Sequence, residues 1–204
     1  MIRNIVFDMG KVLLDYDPLQ ACLRHAGDSA KAAVLKAAIF DHPDWQAKID
    51  TGLLYDDEYL LDVQDRLETS ELKALAQDIM NDWWMDSLFP IRGMRQVIER
   101  LLEKGLRLYV LSNCGYFFHK FSYKIPHVEK FSGILVSAEE QLVKPDPKIF
   151  ARLCQKFDLK AEECVFVDDL QKNVDAAVAC GMQGYCFAHG DADRLMDWLE
   201  QVNA

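Results

Sequence analysis

Short apolar runs alternate with amphipathic stretches along most of this chain. Each run is rich in β-branched or aromatic residues and is bounded by Gly, Asp, Ser, Asn or Lys, a pattern typical of buried strands. Strands are predicted at Ile2–Phe7, Leu106–Leu111, Gly133–Val136, Cys164–Val167 and Gln183–Phe187. Helices are predicted at Gly93–Lys104, Tyr116–Tyr123, Pro147–Phe157, Gln171–Cys180 and Ala192–Gln201. This alternation predicts an α/β fold in which helices cover both faces of a parallel sheet.

The alternation is interrupted after the first predicted strand. No strand pattern occurs between Asp17 and Phe89, and the hydrophobic spacing there is helical. Helices are predicted at Ala21–Phe40, Asp56–Glu68 and Ser70–Trp83. We expect residues 17–89, the cap segment, to form a small helical cap over the carboxyl end of the first strand. Residues 1–16 and 90–204 would then form the core domain.

Charge and composition narrow the range of partners. The chain has 204 residues, of which 50% are hydrophobic and 27% charged, and its formal net charge is -10. Non-specific nucleic-acid binding depends on Lys and Arg neutralising phosphates, so we expect no nucleic-acid partner. No membrane-length apolar stretch occurs, and no charged segment precedes an apolar signal core before Asp8. We therefore expect a cytoplasmic protein with a small-molecule substrate; protein partners are not identified by the sequence.

The cysteines show neither a C-x-x-C pair nor a zinc-binding spacing with the histidines. The six are Cys22, Cys114, Cys154, Cys164, Cys180 and Cys186. Free thiols in a reducing compartment are the expected state. Cys114 lies beside a polar segment that follows a strand, so a nucleophilic role is an alternative. Ordinary packing is the favoured interpretation because no histidine stands at a recognisable partner position.

Polar residues follow the predicted strands, where parallel sheets commonly place their ligands. The segments are Asp8-Met-Gly10, Ser112-Asn113, Lys144-Pro-Asp146-Pro and Asp168-Asp169-Leu-Gln-Lys-Asn173. Asp8 and the Asp168-Asp169 pair would repel each other without a cation between them, and such oxygen ligands suit Mg²⁺. The alternative is that Asp168 and Asp169 only stabilise the start of the next helix. Ser112-Asn113 fits either a phosphate site or a helix cap.

In this order the four segments resemble those of the haloacid dehalogenase superfamily. The resemblance covers essentially the whole chain and implies a Rossmann-like sheet with a cap. Within the superfamily, the chain looks most like the bacterial α-D-glucose-1-phosphate phosphatases. That narrower resemblance rests on Phe7-Asp8-Met9-Gly10, Asp15-x-Asp17 and Thr51-Gly52-x-x-Tyr55-Asp56.

The resemblance implies a role for each segment. Asp8 would be the nucleophile that forms an aspartyl-phosphate. Mg²⁺ would be held by the carboxylates of Asp8, Asp168 and Asp169 and by the Gly10 carbonyl. The Ser112 hydroxyl and the Asn113 N–H would bind the phosphate, and Lys144 would supply positive charge to the substrate and transition state. Asn173 would hold Lys144 or the loop rather than contact substrate. Lys11 would reach into the cleft to bind substrate, although a surface role is an equal alternative.

Gly10 stands where most phosphatases of this kind carry an acid–base aspartate, whose help is worth roughly 10²–10⁴-fold. A sugar 1-phosphate, such as glucose 1-phosphate, could tolerate the loss because its anomeric oxygen is a good leaving group. A second hypothesis is replacement by Asp15, Asp17 or His42. In a third, the chain only binds a phosphorylated ligand. Dehalogenation is less favoured, because it would not need the acidic Asp168-Asp169 pair. We predict a phosphatase of small phosphorylated metabolites.

The cap segment is rich in aromatic residues that are usually core. The candidates for an apolar platform under a sugar ring are Trp45, Trp83, Trp84, Tyr55, Tyr59 and Met85. Asp44, Asp50 or Asp56 would bind hydroxyl groups. The sequence does not identify which of these residues set specificity.

Overall fold

A five-stranded parallel sheet forms the centre of the molecule. The computed structural model describes residues 1–203, with side chains through Val202. The strands are β1 (Asn4–Phe7), β2 (Leu14–Tyr16), β3 (Leu88–Pro90), β4 (Arg107–Ser112), β5 (Gly133–Val136), β6 (Cys164–Asp168) and β7 (Gln183–Cys186). The sheet order is β5-β4-β1-β6-β7, so β1 lies at its centre between β4 and β6. The predicted fold class, α/β with a Rossmann-like parallel sheet, is confirmed.

The helices follow the strands as the hydrophobic pattern requires. They are α1 (Pro18–Ala26), α2 (Ser29–Ile39), α3 (Asp56–Asp65), α4 (Ser70–Asp82), α5 (Trp84–Ser87), α6 (Met94–Glu103), α7 (Phe118–Phe121), α8 (Ser137–Glu140), α9 (Pro147–Phe157), α10 (Gln171–Ala179) and α11 (Ala192–Asn203). Short 3₁₀ turns lie at Ser122–Lys124, Val128–Lys130 and Ala161–Glu163, and a π-helix lies at Trp45–Asp50.

Successive residues of β1 point to opposite faces of the sheet, so the strand is buried on both sides. Ile5 and Phe7 join a core that includes residues of α6 and α11 and of the cap segment. Val6 joins a second core with Ile149 and Phe150 of α9. All four β1 residues are buried. This explains why Ile5, Val6 and Phe7 form a continuous apolar run in the sequence.

A two-stranded antiparallel ribbon connects the sheet region with the cap segment. Strands β2 and β3 pair Leu14 with Pro90 and Tyr16 with Leu88. The sequence did not predict this ribbon, because each strand has only three residues and β3 has two exposed positions. Helices α1 to α5 lie between the two strands along the chain. Both connections of this helical segment to the rest of the chain therefore run through the ribbon.

The cap segment contains more helices than predicted, since neither the π-helix nor α5 was expected. The expected helix at Ala21–Phe40 is two helices, because Gly27 adopts a left-handed conformation with φ 62° and ends α1. The Asp28 side chain then accepts a hydrogen bond from the Lys31 backbone N–H and caps α2. The Gly-Asp pair is a stop-and-start signal that the alanine-rich pattern on both sides obscured. No helix among residues 1–203 is long and apolar enough to cross a membrane.

Candidate active site

Three carboxylates meet at the carboxyl end of the sheet. Asp8 directly follows β1, while Asp168 ends β6 and Asp169 follows it. Because β1 and β6 are neighbours in register, with Phe7 opposite Val167, their ends lie side by side. One oxygen from each of the three carboxylates lies within 4.8 Å of the others. Three hard oxygen donors at this spacing fit a Mg²⁺ ion, which takes carboxylates together with waters and substrate phosphate.

Lys144 crosses the base of this site. Its Nζ lies 2.7 Å from Asp8 Oδ1 and 2.8 Å from Asp168 Oδ2. It also donates a hydrogen bond of 3.0 Å to the Leu111 carbonyl. The Lys144 side chain is 1% exposed, so its charge is balanced by the carboxylates rather than by water. The predicted cation therefore contacts the predicted nucleophile directly.

Burial and neighbouring charges shift the pKa values of Asp8, Asp169 and Lys144. Burial raises the pKa of Asp8 to about 6, although the nearby Lys144 ammonium opposes this rise. Burial and the charge of Asp168 also raise the pKa of Asp169. Burial lowers the pKa of Lys144, but the charges and hydrogen bonds of Asp8 and Asp168 outweigh this effect, so that the pKa is raised. A cation beside Asp8 and Asp169 would favour their ionised forms, as a metal-binding site requires.

Two asparagines fix the polar loops around Lys144. Asn113 Nδ2 donates to the Lys144 carbonyl at 3.0 Å, and the Lys144 backbone N–H donates to Asn113 Oδ1 at 2.8 Å. Asn173 Nδ2 donates to both Asp168 oxygens, at 2.9 and 3.0 Å. Of the two expected partners of Asn173, Lys144 or the loop, the structure shows no hydrogen bond with Lys144. Asn173 holds Asp168 instead, which in turn contacts Lys144.

One cavity of about 290 Å³ is lined by every predicted site residue except Asp168. Its polar lining includes Asp8, Gly10, Lys11, Ser112, Asn113, Lys144 and Asp169 from the sheet region. Asp168 is fully buried behind this lining. Its apolar wall is formed by Met9, Tyr16, Trp45, Trp83, Leu88, Cys114, Phe117 and Leu170. The strand ends and the cap segment therefore enclose one shared space.

Lys11 occupies the rim of the cavity. Its Nζ contacts Asp15 Oδ1 at 2.5 Å and the Tyr16 carbonyl at 2.9 Å, and its side chain is 51% exposed. The structure thus brings Lys11 to the site but pairs its ammonium with Asp15. This pairing also lowers the pKa of Asp15.

The three residues suggested as replacements for the acid–base aspartate lie elsewhere. Asp15 is held by Lys11, and the Asp17 side chain caps α1 by accepting from the Leu19 backbone N–H. His42 lies beside Asp44 within the cap segment. None of the three lines the cavity that contains Asp8.

The cap segment instead brings Asp50 into the cavity. Asp50 is the last residue of the π-helix Trp45–Asp50 and is partly buried. Burial and the charge of Asp8 raise its pKa to about 7. The sequence predicted only a hydroxyl-binding role for Asp50, together with Asp44 and Asp56. No local signal distinguishes Asp50 from these two, because the contacts that place it in the cavity come from Ser137 and Ala138, which are distant in the sequence.

The other cap candidates have structural partners. Asp44 pairs with Lys48 and Arg66, while Asp56 pairs with Lys120 at 3.1 Å. Among the six aromatic and methionine candidates, Trp45 and Trp83 line the cavity. These two rings pack against each other with centroids 5.9 Å apart. Trp83, Trp84 and Tyr59 are buried and Trp45 packs against the same core, whereas Tyr55 and Met85 are exposed.

Cys114 also lines the cavity, but its environment does not favour a thiolate. Burial and the charge of Asp50 raise the pKa of its thiol well above the usual value. No disulfide joins the six cysteines, all of which lie within the described residues. Packing is the interpretation of Cys114 that these observations support.

Comparison with known proteins identifies the family. Residues 2–181 match the family model described as haloacid dehalogenase-like hydrolase. The chain therefore belongs to the haloacid dehalogenase-like hydrolases, and the prediction of a hydrolase of this superfamily is confirmed. The narrower resemblance to glucose-1-phosphate phosphatases remains a prediction.

Two named relatives agree with this assignment, and a solved structure shares the fold. The chain is 29% identical over 188 residues to a sesquiterpene phosphatase of Aspergillus oryzae, covering 89% of this chain and 88% of that protein. It is 32% identical over 104 residues to a glyceraldehyde 3-phosphate phosphatase of Pyrococcus abyssi, covering 49% and 43%. The fold matches a variant haloacid dehalogenase-family enzyme of Bacteroides thetaiotaomicron in complex with magnesium and inorganic phosphate. That match has a TM-score of 0.70 and 19% identity, covering 91% and 94% of the two chains.

Proposed function

We propose that this protein is a Mg²⁺-dependent phosphatase of small phosphorylated metabolites, with Asp8 as its nucleophile. The observation that carries this proposal is the position of Asp8 in an enclosed cavity. It follows the central strand, contacts the buried Lys144 ammonium, and lies beside two further carboxylates. As part of the proposal, residues 17–89 form a cap domain and residues 1–16 with 90–204 form the core domain.

The proposed metal ligands are Asp8, Asp168, Asp169 and the Gly10 carbonyl. The spacing of the three carboxylates supports Mg²⁺, as does its presence with phosphate in the Bacteroides thetaiotaomicron enzyme. When bound, Mg²⁺ would reduce the repulsion between the substrate phosphate and Asp8. Asn173 would hold Asp168 in the orientation that the site needs.

The residues of the chain then have separate tasks. Asp8 would attack phosphorus in line with the leaving oxygen and form an aspartyl-phosphate. The Lys144 ammonium would orient Asp8 and offset negative charge as the transition state forms. The Ser112 hydroxyl and the Asn113 N–H would bind phosphate oxygens at the end of β4. Lys11 would reach the substrate from the rim once its contact with Asp15 is exchanged for a phosphate or hydroxyl.

A sugar 1-phosphate is the proposed substrate, because its anomeric oxygen leaves readily. The aromatic wall formed by Trp45, Trp83 and Phe117 supports a second candidate, a phosphate ester of an apolar alcohol. The sesquiterpene phosphatase of Aspergillus oryzae agrees with this second candidate. Both candidates place an organic group against the cap and a phosphate against Asp8.

Phosphate release from a panel of sugar, alkyl and isoprenoid phosphates tests the proposal. Each substrate is measured with Mg²⁺ or EDTA, using wild type, Asp8→Asn and the exposed control Asp57→Asn. We expect release that requires Mg²⁺, disappears in Asp8→Asn and persists in Asp57→Asn. Mg²⁺-dependent ligand binding without release from any substrate would instead indicate a binding protein. Chloride release from a 2-haloacid without phosphate release would indicate a dehalogenase.

A further inference from the structure

Asp50 has an unusual position for a carboxylate of the cap segment. It lines the cavity together with Asp8, Ser112 and Lys144, and it is partly buried. Among the groups that the structure describes, with side chains through Val202, none donates a hydrogen bond to the Asp50 side chain or forms an ion pair with it. It lies outside the cluster formed by Asp8, Asp168 and Asp169. Asp50 is therefore an unpartnered carboxylate facing the reaction space, separate from the proposed metal ligands.

The backbone around Asp50 is fixed to the core. Ser137 Oγ donates a hydrogen bond of 2.5 Å to the Asp50 carbonyl and accepts one of 2.9 Å from the Cys114 N–H. Two residues later, Gly52 lies so close to α8 that an added Cβ would be 2.2 Å from the Ala138 carbonyl oxygen. Tyr116 Oη donates to the Gly52 carbonyl at 3.2 Å. These contacts hold Asp50 at a set position relative to Asp8.

The core offers no carboxylate at the position two residues after the nucleophile. Gly10 stands there, and a Cβ built on it would meet nothing within 4 Å. An alkoxide leaving group nevertheless needs a proton as its bond to phosphorus breaks. The cavity therefore has free space on the core side and an unpartnered carboxylate on the cap side.

We propose that Asp50 is the general acid and base of this enzyme, supplied by the cap segment in place of a side chain at Gly10. This inference rests on the proposed phosphatase function. Burial and the charge of Asp8 act in its favour, since they raise the pKa of Asp50 to about 7, close to the value that suits proton transfer at neutral pH. Fixation by Ser137 and Gly52 supplies the orientation that such a group needs.

The proposed reaction has two chemical steps. In the first, an Asp8 oxygen forms a bond to phosphorus while the bond from phosphorus to the leaving oxygen breaks. Protonated Asp50 gives its proton to that oxygen, so a neutral alcohol departs. In the second, ionised Asp50 takes a proton from water as the water oxygen bonds to phosphorus. The bond between phosphorus and Asp8 breaks, releasing phosphate, ionised Asp8 and protonated Asp50.

The test compares leaving groups in wild type and the isosteric variant Asp50→Asn. With an alkyl phosphate, we expect kcat to fall by about 10²–10³-fold, because the poor leaving group needs the acid. With 4-nitrophenyl phosphate the leaving group needs no proton. We then expect a rapid burst of one equivalent of nitrophenolate per active site, followed by slow turnover as the aspartyl-phosphate accumulates. Asp57→Asn, an exposed carboxylate of the same segment, is the matched control.

Other results would overturn the assignment. If Asp50 only binds substrate hydroxyls, Asp50→Asn would have a higher KM for sugar phosphates, an unchanged kcat and no burst. An equal loss of kcat for alkyl and nitrophenyl substrates, without a burst, would indicate a structural role. Failure of the underlying phosphatase proposal is distinguishable, because wild type would then release no phosphate from any substrate.

A second variant asks whether the lost function is proton transfer. The double variant Gly10→Asp/Asp50→Asn places a carboxylate in the open space at Gly10. We expect the kcat of the double variant for alkyl phosphate to be at least about tenfold higher than that of Asp50→Asn, and we expect no burst. The double variant could instead turn over alkyl phosphate as fast as wild type and still show an unchanged nitrophenolate burst. The burst and the alkyl phosphate turnover would then be unrelated, which would overturn the assignment.

Discussion

The Lys144 ammonium contacts the Asp8 carboxylate at 2.7 Å, in a position where the lysine side chain is 1% exposed. Lys144 also contacts Asp168 at 2.8 Å, so it joins the ends of two neighbouring strands. The residue predicted to assist chemistry is thus also the counter-ion for two acidic groups. Loss of this cation would leave both carboxylates without their principal positive partner.

The variant Lys144→Met is expected to lose both activity and stability. Removing one member of a buried ion pair leaves an uncompensated charge, which costs about 3–5 kcal/mol. Denaturant unfolding at neutral pH measures this loss. Lys104→Met removes a lysine from an exposed pair with Glu200 and should leave stability nearly unchanged. Equal stability of the two variants would contradict the role assigned to Lys144.

Asn173→Ala is expected to weaken Mg²⁺ binding rather than substrate binding. Asn173 makes both of its side-chain donations to Asp168, at 2.9 and 3.0 Å, and does not share its amide with Lys144. Loss of a partner that orients a metal ligand typically lowers metal affinity by about 10–100-fold. Titration of phosphatase activity with Mg²⁺ measures the change. An unchanged Mg²⁺ requirement, with activity reduced at every concentration, would argue against this role.

Gly52→Ala is expected to disturb the contact between the cap segment and the core. Its added Cβ would meet the Ala138 carbonyl oxygen at 2.2 Å, and its φ of +72° already disfavours alanine. Gly27→Ala is the matched control, because its φ is +62° but its Cβ would meet nothing within 4 Å. We expect Gly27→Ala to cost about 1–2 kcal/mol, and Gly52→Ala to cost more.

Activity separates these two glycine variants further. Displacing Gly52 also moves Asp50, so kcat for alkyl phosphates should fall in Gly52→Ala and persist in Gly27→Ala. Thermal unfolding and steady-state kinetics on the same samples make the comparison. Equal effects of the two substitutions would mean that backbone strain alone, and not the contact with Ala138, determines the outcome.

Asp50→Asn is expected to stabilise the protein at high pH. The pKa of Asp50 is raised from 3.8 to about 7 in the folded state, so between these values the folded chain binds a proton that the unfolded chain has released. Stability from this group therefore falls as pH rises through the window. We expect the variant to exceed wild type by about 1–3 kcal/mol at about pH 8 and to match it at about pH 4.

Urea unfolding across this range, with Asp57→Asn as the control, measures the effect without any substrate. A constant difference between Asp50→Asn and wild type at all pH values would contradict the raised pKa. A loss of stability in the variant at high pH would show that the ionised carboxylate has a partner in solution. This measurement is independent of whether the protein hydrolyses phosphates.

The sequence predicts the central sheet well because strand burial leaves a direct trace. Ile5, Val6 and Phe7 are consecutive apolar residues because β1 is covered on both faces. The polar residues after it then follow from the rule that strand ends meet at one edge. Asp8, Lys144 and Asp169 were therefore predicted to lie at one edge of the sheet, and all three line one cavity.

What the sequence missed lies where two distant segments meet. The ribbon of β2 and β3 depends on pairing between residues more than seventy positions apart, and its three-residue strands carry little pattern. Asp50 is similar, because nothing in its local sequence distinguishes it from Asp44 or Asp56. Only the contacts of its neighbours with Ser137 and Ala138 place it in the cavity. Long-range packing, rather than local propensity, determines both features.

The β2–β3 ribbon is the place at which the cap segment would be exchanged for that of another hydrolase. Under the assignment made above, such a graft would remove the proton-transfer group from a core that has glycine in its place. Specificity and turnover would then be inherited together rather than as separable modules. Engineers who transplant this insertion would need to move Asp50 with it, or first restore a carboxylate at Gly10.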